Sequence, residues 1–386
     1  MRLLIVIPSF YPAIGYGGPI FTSYYTANEL SKLYIEVRVA TTNANLDRKL
    51  DILPNVWHKM GNKFFVKYYN ETIINKFSVA LFFNLWKDIR ESDIVHIQGL
   101  FSTPVPIALF YASFFNKKIL LTPHGTLGKW CINSGSRLKS LWLKLLIQPF
   151  NKKVIWHATS QQEKEEILAL FPEAKVIVIP NGIKFEEFQN YNILSKEEYS
   201  KKFTGKKLTA NKIIVSMGRL QKKKGFDILI DAFNHVLKEY PDAKLLIAGG
   251  DEGEKENLKK QIKKLNLENK VFLIGLIKGQ DKIDFLANAD LFVLPSHNEN
   301  FGVVFAESLA AGTPIIASKN TPWQEVEKYN CGKWVENSVE ATARAIDEML
   351  RKDKEIMRQN AKQYAKKYDW SNIAVRFKEL FEEMIK

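Results

Sequence analysis

Short apolar runs recur along the chain, and amphipathic stretches of helical length separate them. In the first half the runs lie at 3–7, 37–40, 64–68, 94–97, 119–122, 154–158 and 176–179. In the second half they lie at 213–216, 245–248, 271–274, 291–294 and 314–317. Continuous apolar strands that alternate with helices are typical of parallel sheets covered on both faces. The pattern therefore predicts an α/β fold, and it predicts that fold twice.

The two α/β patterns are separated after Pro180-Asn181-Gly182. Residues 183–211 are polar and rich in Lys and Glu, and we interpret them as a linker with one short helix. The predicted domains are therefore residues 1–182 and residues 212–369. Residues 370–386 repeat apolar side chains at helical spacing, which predicts a terminal helix.

Composition excludes several classes of protein. The 386 residues are 46% hydrophobic, which favours a globular chain over a disordered one. The longest apolar run, around 104–115, is shorter than the ~20 residues that span a bilayer. The opening run at 3–7 stops at Pro8 and makes no convincing secretory signal. Since the two cysteines form no disulfide or metal-ligand framework, these features together predict a cytoplasmic protein.

The net charge of +14 is concentrated in the first 162 residues, which carry +11 of it. A basic balance favours anionic partners. No acidic residue occurs between Asp93 and Glu163, and apolar side chains interleave with lysines there. Residues 136–150 are therefore compatible with a basic amphipathic helix on an anionic membrane, and equally with a core helix whose basic face is solvated. The segment 129–156 is a candidate contact with the inner face of the cytoplasmic membrane.

Residues 296–307 (SHNENFGVVFAE) carry the strongest chemical signal. They follow the apolar run at 291–294 and are predicted to open a helix at about Gly302. The first amides of that helix are those of Phe301, Gly302 and Val303. Because such amides lack intrahelical partners, they form an anion site. Glu299 and Glu307 lie on either side and can accept hydrogen bonds from sugar or ribose hydroxyls; the alternative is that both are solvated charges.

Three further turns follow apolar runs, where open α/β sheets bind their ligands. The turn from Gly218 to Gly225 (GRLQKKKG) offers Arg219 and Lys224 as phosphate donors, or is simply a solvated basic turn. Gly17 and Gly18 allow a close backbone approach, although a plain turn explains them as well. His124, in the sequence TPHGTL, is either a ligand contact or a structural histidine.

These motifs together resemble the retaining glycosyltransferases of family 4, which have the GT-B architecture. The resemblance rests on Gly17-Gly18, His124-Gly125, Ile179-Pro180-Asn181-Gly182-Ile183, Gly218-Arg219-Leu220, Lys224-Gly225, and Glu299 with Glu307 before Ala310-Ala311-Gly312-Thr313-Pro314. The motifs occur in the family's order over nearly the whole chain. One departure is Tyr34-Ile35, where the family usually has Gly-His after the first helix.

The resemblance implies two Rossmann-like parallel-sheet domains that face a cleft. The C-terminal domain would hold a nucleotide-sugar donor and the N-terminal domain an acceptor. The helix at 370–386 would cross back and pack on the N-terminal domain. The expected reaction is a retaining transfer to a glycan or lipid-linked glycan acceptor in bacterial surface polysaccharide or lipopolysaccharide assembly, with UDP as the first choice of nucleotide and GDP as the second.

The resemblance also implies roles for individual residues. Arg219 and Lys224 would neutralise the donor diphosphate, Glu299 would contact the transferred sugar, and Glu307 would hold the ribose hydroxyls. His124 would reach the donor from the opposite wall, and Arg219, Lys224, Glu299 and His124 form the expected catalytic group. The expected donor contacts are Gly17, Gly18, Arg219, Lys224, Leu273, Ile274, Glu299, Asn300, Phe301, Gly302, Val303 and Glu307.

Charge arguments indicate how the reaction proceeds. Negative charge builds on the departing diphosphate, and two cationic side chains with a helix N-terminus are preorganised to meet it. We therefore expect no resident cofactor and no metal ion. The resemblance implies a front-face mechanism in which the donor phosphate accepts the proton of the acceptor hydroxyl.

Two other classes of function compete with this interpretation. A sugar-nucleotide epimerase can share the architecture, but it changes the sugar without an acceptor. A nucleic-acid-binding protein would also be basic, yet no reading module and no basic groove with aromatic platforms is apparent. We therefore expect no nucleic-acid partner.

Overall fold

The computed structural model describes residues 1–72, 76–128, 137–207 and 209–386. The chain forms two compact units, one made of Met1–Gly182 with Trp370–Lys386 and the other of Ile183–Asp369. Each unit contains its own large sheet of mainly parallel strands. The predicted α/β fold, present twice, is thereby confirmed.

The first unit is built around an eight-stranded sheet. Its strands and the small hairpin β3–β4 are β1 (Arg2–Ser9), β2 (Glu36–Thr42), β3 (Ala44–Asn45), β4 (Arg48–Lys49), β5 (Trp57–Gly61), β6 (Phe64–Tyr69), β7 (Ile94–Gln98), β8 (Lys118–Thr122), β9 (Val154–Ala158) and β10 (Lys175–Val178). Its helices are α1 (Gly18–Lys32), α2 (Val79–Arg90), α3 (Pro104–Phe114), α4 (Arg137–Trp142) and α5 (Gln161–Leu170). The sheet order is β10-β9-β8-β7-β1-β2-β6-β5, with all neighbours parallel except β5 and β6.

The central strand β1 shows why the apolar runs become covered strands. Leu3, Ile5 and Ile7 point into one hydrophobic cluster, and Leu4 and Val6 point into another. Successive side chains of a strand alternate between the two faces of the sheet. A continuous apolar run therefore requires cover on both sides, which helices provide here.

The second unit is built around a six-stranded parallel sheet. Its strands are β11 (Ile213–Met217), β12 (Lys244–Ala248), β13 (Val271–Gly275), β14 (Leu291–Leu294), β15 (Ile315–Ser318) and β16 (Gly332–Val335). Its helices are α6 (Lys196–Thr204), α7 (Phe226–Val236), α8 (Lys255–Lys264), α9 (Gly279–Ala287), α10 (Val303–Ala310), α11 (Val339–Leu350) and α12 (Lys354–Ala365). The order β13-β12-β11-β14-β15-β16 is that of a doubly wound nucleotide-binding sheet.

The segment at 183–211, expected to be a linker, is part of the second unit. Phe185, Phe188 and Tyr199 are buried in its hydrophobic core, and the Tyr199 hydroxyl donates to the Phe285 carbonyl oxygen at 2.8 Å. The expected short helix is α6, which Ser195 and Glu198 cap reciprocally. The Lys and Glu content of the segment describes its solvated face, while its few aromatic side chains anchor it.

The terminal helix α13 (Trp370–Ile385) packs on the first unit. Ile373, Phe377 and Phe381 join the same cluster as the odd-numbered side chains of β1. The helical spacing of these residues therefore corresponds to one buried face.

Two edge strands, β5 and β16, were not predicted from the sequence, whereas the edge strands β10 and β13 were. Strand β5 is polar and pairs antiparallel at one edge of its sheet, and β16 is a half-buried strand of four residues. At the departure from the family pattern, Tyr34 is exposed and has a φ of +66°. Glycine adopts this left-handed conformation without strain, so the tyrosine sits where the backbone favours glycine.

Candidate functional site

The sheet of the second unit reverses its strand order between β11 and β14. Ligands of open α/β sheets bind beyond the carboxyl ends of the strands at such a point. The turn 218–225 follows β11, and the loop 295–302 follows β14. The two strongest motifs of the sequence therefore lie at neighbouring strand ends.

A direct ion pair joins these two motifs. Lys224 Nζ donates to Glu299 Oε1 at 2.5 Å, and both side chains are largely buried. Ser296 Oγ donates to the same carboxylate oxygen at 2.9 Å. Within the described residues Oε2 of Glu299 accepts no hydrogen bond, and an ammonium has three donors. The pair therefore offers a ligand both N–H donors and a carboxylate oxygen.

Backbone contacts hold the two loops against each other. The His297 amide donates to the Lys223 carbonyl oxygen at 2.8 Å. Gly225 has a φ of +67°, and a Cβ at this position would lie 2.1 Å from the Pro295 carbonyl oxygen. Only glycine allows this approach, so the Lys-Gly sequence serves the packing of the loops as well as the charge.

Arg219 lies in a more exposed setting than Lys224. Its guanidinium NH1 donates to Glu252 Oε1 at 2.9 Å, and about two thirds of the side chain is exposed. Gln221 Nε2 donates to the other oxygen of the same carboxylate at 3.0 Å. Glu252 follows β12, so the loops after β12, β11 and β14 meet. An exposed pair of this kind is weak and exchanges readily for a stronger anion.

The predicted helix after Glu299 is α10, and Gly302 is its N-cap residue with a φ of +73°. The Phe301 side chain is buried against Trp323 and Tyr368, and its carbonyl oxygen accepts from Trp323 Nε1 at 2.6 Å. Phe301 therefore anchors the loop, and only its backbone can serve a ligand. The first amides of α10 have no acceptor within the helix and suit an anion.

Glu307 forms its own ion pair, with a lysine of the helix α9. It lies on α10, and Lys282 Nζ of α9 donates to its Oε1 at 2.6 Å with both side chains largely buried. The pairing explains how a carboxylate fits among apolar neighbours. Leu273 and Ile274 lie half-buried near the end of the edge strand β13.

The structure places the other candidates in the first unit. Gly17 has a φ of +84°, whereas a Cβ on either Gly17 or Gly18 would meet nothing within 4 Å. His124 follows β8, and its Nε2 lies 3.1 Å from Gln98 Oε1. Gln98 ends β7 and also bonds Ser23 of α1. The expected site residues thus form two groups, one in each unit.

A buried chain of hydrogen bonds lies beside His124. His157 Nε2 is 2.8 Å from the Ile179 carbonyl oxygen, so it must donate, and His157 Nδ1 accepts from the Thr122 hydroxyl at 2.8 Å. Thr122 in turn accepts from His96 Nε2 at 2.8 Å. His96 Nδ1 is then a bare acceptor, and it is buried without a partner among the described residues. With these donors and acceptors, His157 and His96 are both neutral imidazoles.

Burial lowers the pKa of each of these histidines. Loss of solvation lowers the pKa of His157 to about 4, and the nearby Arg376 lowers it further against the opposing bond to Ile179. Loss of solvation and the field of His157 lower the pKa of His124 to about 3. Loss of solvation, with the fields of His157 and His124, also holds the pKa of His96 well below its usual value.

We expect the protein to lose stability as the pH falls from about 6.5 toward 4.5. The unfolded chain binds protons at His157 near pH 6.5 while the folded chain does not, so acid favours the unfolded state. The expected loss from this residue is on the order of 2 kcal/mol. Thermal unfolding of the full chain across this pH range measures it. The variant His157→Gln can still donate to Ile179 but does not titrate, so its Tm should depend less on pH; an unchanged pH slope would contradict the assignment.

Part of the basic segment lies outside the described residues, namely 129–136. Beyond it, α4 continues through a π turn at Leu143–Ile147 and 3₁₀ turns at Gln148–Lys153. Leu143 and Ile147 are buried, while Leu138, Leu141 and Leu145 are exposed. Among the described residues, no helix combines the length and apolar character needed to cross a bilayer. Nor do these residues contain a group of three or more His, Cys, Asp or Glu side chains arranged to hold a metal ion.

Several participants carry no sequence signal of their own. Glu252 and Lys282 contact the site residues only because segments distant in the chain meet. Ser296 and Gln98 follow or end predicted strands, and this position at a strand's carboxyl end is the signal that would have found them.

Two family models match the chain in succession. The model described as Glycosyltransferase Family 4 matches residues 16–187, and the model described as Glycosyl transferases group 1 matches residues 197–368. Together they take in most of both units, and the motifs described above lie within them.

Individual curated proteins match the chain over only part of its length. An uncharacterised glycosyltransferase from Methanocaldococcus jannaschii is 34% identical over 222 residues, which are 56% of this chain and 56% of that protein. The alpha-monoglucosyldiacylglycerol synthase of Streptococcus pneumoniae is 28% identical over 233 residues, which are 59% of this chain and 52% of that protein. The chain thus spans about half the length of these curated relatives.

Solved structures extend the likeness to the whole chain. The crystal structure of Anabaena HepE in complex with UDP has a TM-score of 0.75 and 20% identity, and covers 99% of this chain and 100% of that chain. At this identity the likeness is one of fold, and it confirms the GT-B fold that the resemblance implied.

Proposed function

Since the chain belongs to the family-4 glycosyltransferases with the GT-B fold, we propose that it transfers a sugar from a nucleoside diphosphate sugar to a hydroxyl of an acceptor. The donor is UDP-linked, with GDP as the second choice. The acceptor is a glycan or a lipid-linked glycan of a bacterial surface polysaccharide or lipopolysaccharide.

The observation that carries this proposal is the Lys224–Glu299 pair beside the N-terminus of α10. An ammonium and free helix amides match a diphosphate, and a carboxylate matches sugar hydroxyls. All of these groups meet at the switch point of the second sheet, where such ligands bind.

Charge is redistributed when the donor binds. Lys224 keeps one N–H on Glu299 and turns its remaining donors to a phosphate oxygen. Arg219 leaves Glu252, to which it is bound at an exposed site, and pairs with the more highly charged diphosphate. These two cations and the α10 amides stand in for a metal ion.

In the reaction, the bond from the anomeric carbon to the diphosphate oxygen breaks while the acceptor oxygen bonds to the same carbon on the same face. The bonding electrons leave with the nucleoside diphosphate, and a phosphate oxygen accepts the acceptor's proton. Lys224 and Arg219 stabilise the charge that develops on the leaving group. Glu299 orients the sugar through its hydroxyls, and the configuration at the anomeric carbon is retained.

Support for a lipid-linked acceptor comes from one relative. The Streptococcus pneumoniae protein is named as an alpha-monoglucosyldiacylglycerol synthase, so its product carries a sugar on a lipid. The exposed apolar residues of α4 are compatible with work at a lipid surface.

A nucleotide panel tests the donor site. Thermal shifts with UDP, GDP, ADP and dTDP should be largest for UDP, because a ligand that binds only the folded state stabilises it in proportion to the logarithm of its concentration over Kd. 2′-Deoxy-UDP should bind roughly 10-fold or more weakly than UDP, since it lacks a charge-assisted hydrogen bond to Glu307. In the variant Glu307→Gln this preference should largely disappear.

Glu348 supplies the matched control. It also accepts an ion pair from a lysine of the second unit, with Lys333 Nζ at 2.8 Å, but it lies on α11. Glu348→Gln should keep the full preference for UDP over the deoxy analogue. A sugar-nucleotide screen with product analysis by NMR then identifies the sugar and the linkage. A product formed without any acceptor, or an inverted linkage, would reject a retaining transferase.

A further inference from the structure

Aromatic side chains crowd the outer surface of α2 and α3. Phe83 on α2 is 63% exposed, and Phe110 and Phe114 on α3 are 56% and 72% exposed. Phe82 is also exposed, and its ring centroid lies 5.1 Å from that of Phe83. Exposed apolar residues on monomeric proteins normally occur singly, so a contiguous group indicates a contact surface.

The aromatic side chains of the two helices form one connected surface. The Tyr111 hydroxyl of α3 donates to the Phe82 carbonyl oxygen of α2 at 2.9 Å. Trp86 stacks on Phe115 with ring centroids 6.4 Å apart. The helices are therefore packed side by side, and the exposed rings cannot be buried by closing a gap between them.

The helix α4 extends the same layer. Trp142 Nε1 donates to the Leu100 carbonyl oxygen at 2.8 Å, just before α3. Leu143 and Ile147 pack into the core cluster that also holds the buried side chains of α2 and α3. Leu138, Leu141 and Leu145 remain exposed on this segment. The outer surface of α2, α3 and the segment 137–147, called here the α2–α4 face, is thus apolar over three neighbouring elements.

Positive charge surrounds the α2–α4 face. Lys87 lies beside the Trp86 ring at 5.7 Å, and Lys139 lies beside the Phe101 ring at 5.5 Å. Lys117 lies three residues after the end of α3, and Lys144 is exposed on the segment 137–147.

The acidic residues of α2 do not offset this charge. Asp88 is buried and paired with Lys67 at 2.5 Å. Glu91, at the end of α2, is paired with Arg38 at 2.7 Å. Between Asp93 and Glu163 the chain has no acidic residue at all. The α2–α4 face therefore meets its surroundings as an apolar and basic surface.

We propose that the α2–α4 face docks on an anionic lipid bilayer. Phe83, Phe110 and Phe114 insert among the acyl chains near the headgroups, and the lysines keep their ammonium groups at the level of the lipid phosphates. An anionic leaflet attracts a basic segment of this kind. A protein partner fits less well, because lysine is depleted in the buried centre of protein–protein interfaces. The inference does not rest on the proposed sugar transfer, since vesicle binding needs no donor.

Vesicle co-sedimentation of the full chain tests the proposal. Vesicles of phosphatidylcholine mixed with phosphatidylglycerol should bind the protein roughly 10-fold or more tightly than vesicles of phosphatidylcholine alone, and salt should weaken this binding. The double variant Phe83→Ser/Phe114→Ser should lose roughly 10-fold or more in binding to the anionic vesicles. The charge variant Lys87→Glu/Lys144→Glu, which changes exposed lysines of α2 and of the segment 137–147, should lose binding as well.

Ile193→Ser provides the control, because Ile193 is 89% exposed but lies in the second unit. It should bind vesicles like the wild type. The substituted phenylalanines are solvent-exposed, so Tm should hardly change. Unaltered binding by both double variants, or equal binding to neutral and anionic vesicles, would overturn the proposal. A wild-type dimer that Phe83→Ser/Phe114→Ser converts to a monomer without any vesicle binding would assign the α2–α4 face to a second copy of the chain, and would also overturn it.

Discussion

Replacing Lys224 by alanine is expected to lower kcat/KM by ~10²-fold or more, the magnitude typical of losing one preorganised donor to a developing oxyanion. Lys224 is largely buried and bonded to Glu299, so its ammonium is already positioned before a donor arrives. Water cannot replace it with the same geometry. Arg219→Ala should cause a loss in the same range, because the diphosphate then lacks the second of its two cations.

Lys222 offers a matched control two residues away. It is exposed and paired at 2.5 Å with Asp227 in the first turn of α7. Lys222→Ala removes the same charge from the same turn and should leave kcat/KM near the wild-type value. If Lys222→Ala and Lys224→Ala lower the rate equally, the effect is one of general charge, and the specific role of Lys224 is rejected. Initial rates with the donor found in the sugar-nucleotide screen provide the measurement.

Replacing Gly225 by alanine should cost about 3 kcal/mol or more, or roughly 6–12 °C in Tm. The left-handed backbone alone is strained for alanine, and the added Cβ would lie 2.1 Å from the Pro295 carbonyl oxygen. Since that atom belongs to the backbone, the loops after β11 and β14 must separate. The variant should therefore also bind UDP more weakly, as measured by titration calorimetry.

The variant Gly205→Ala distinguishes the strain of the left-handed backbone from the clash with Pro295. It has a φ of +72°, close to that of Gly225, but a Cβ there would meet nothing within 4 Å. Gly205→Ala should therefore cost only the strain of the left-handed conformation, about 1 kcal/mol, and should not change UDP binding. Equal losses of Tm in the two variants would show that loop contact at Pro295 is unimportant.

The sequence predicted the covered strands well. Runs such as those at 213–216 and 291–294 are apolar at every position, and such strands must be buried on both faces wherever they lie. Strands β5 and β16 contain no such apolar run, so the sequence did not predict them. An edge strand is half solvated, so its side chains need no regular apolar pattern.

The charged residues of the candidate site were named from the sequence. Arg219, Lys224, Glu299 and Glu307 follow or flank predicted strands and helices, where the fold delivers ligand-binding groups. Their partners were not visible. Lys224 and Glu299 are 75 residues apart in the chain, and Arg219 and Glu252 are 33 apart. No local pattern encodes which side chains of separate loops will touch.

Local sequence by itself determined the α/β alternation, the apolar strands and the positions of the charged loops, because periodicity and charge act over neighbouring residues. Only the tertiary structure decided that Lys224 meets Glu299, that residues 183–211 pack into the second unit, and that Phe83 and Phe114 remain uncovered. Whether a side chain is paired, buried or exposed depends on which distant segments the folded chain brings beside it. Apolar phenylalanines look alike in sequence, and the layer of helices around the sheet determines which of them lie in the core and which face outward.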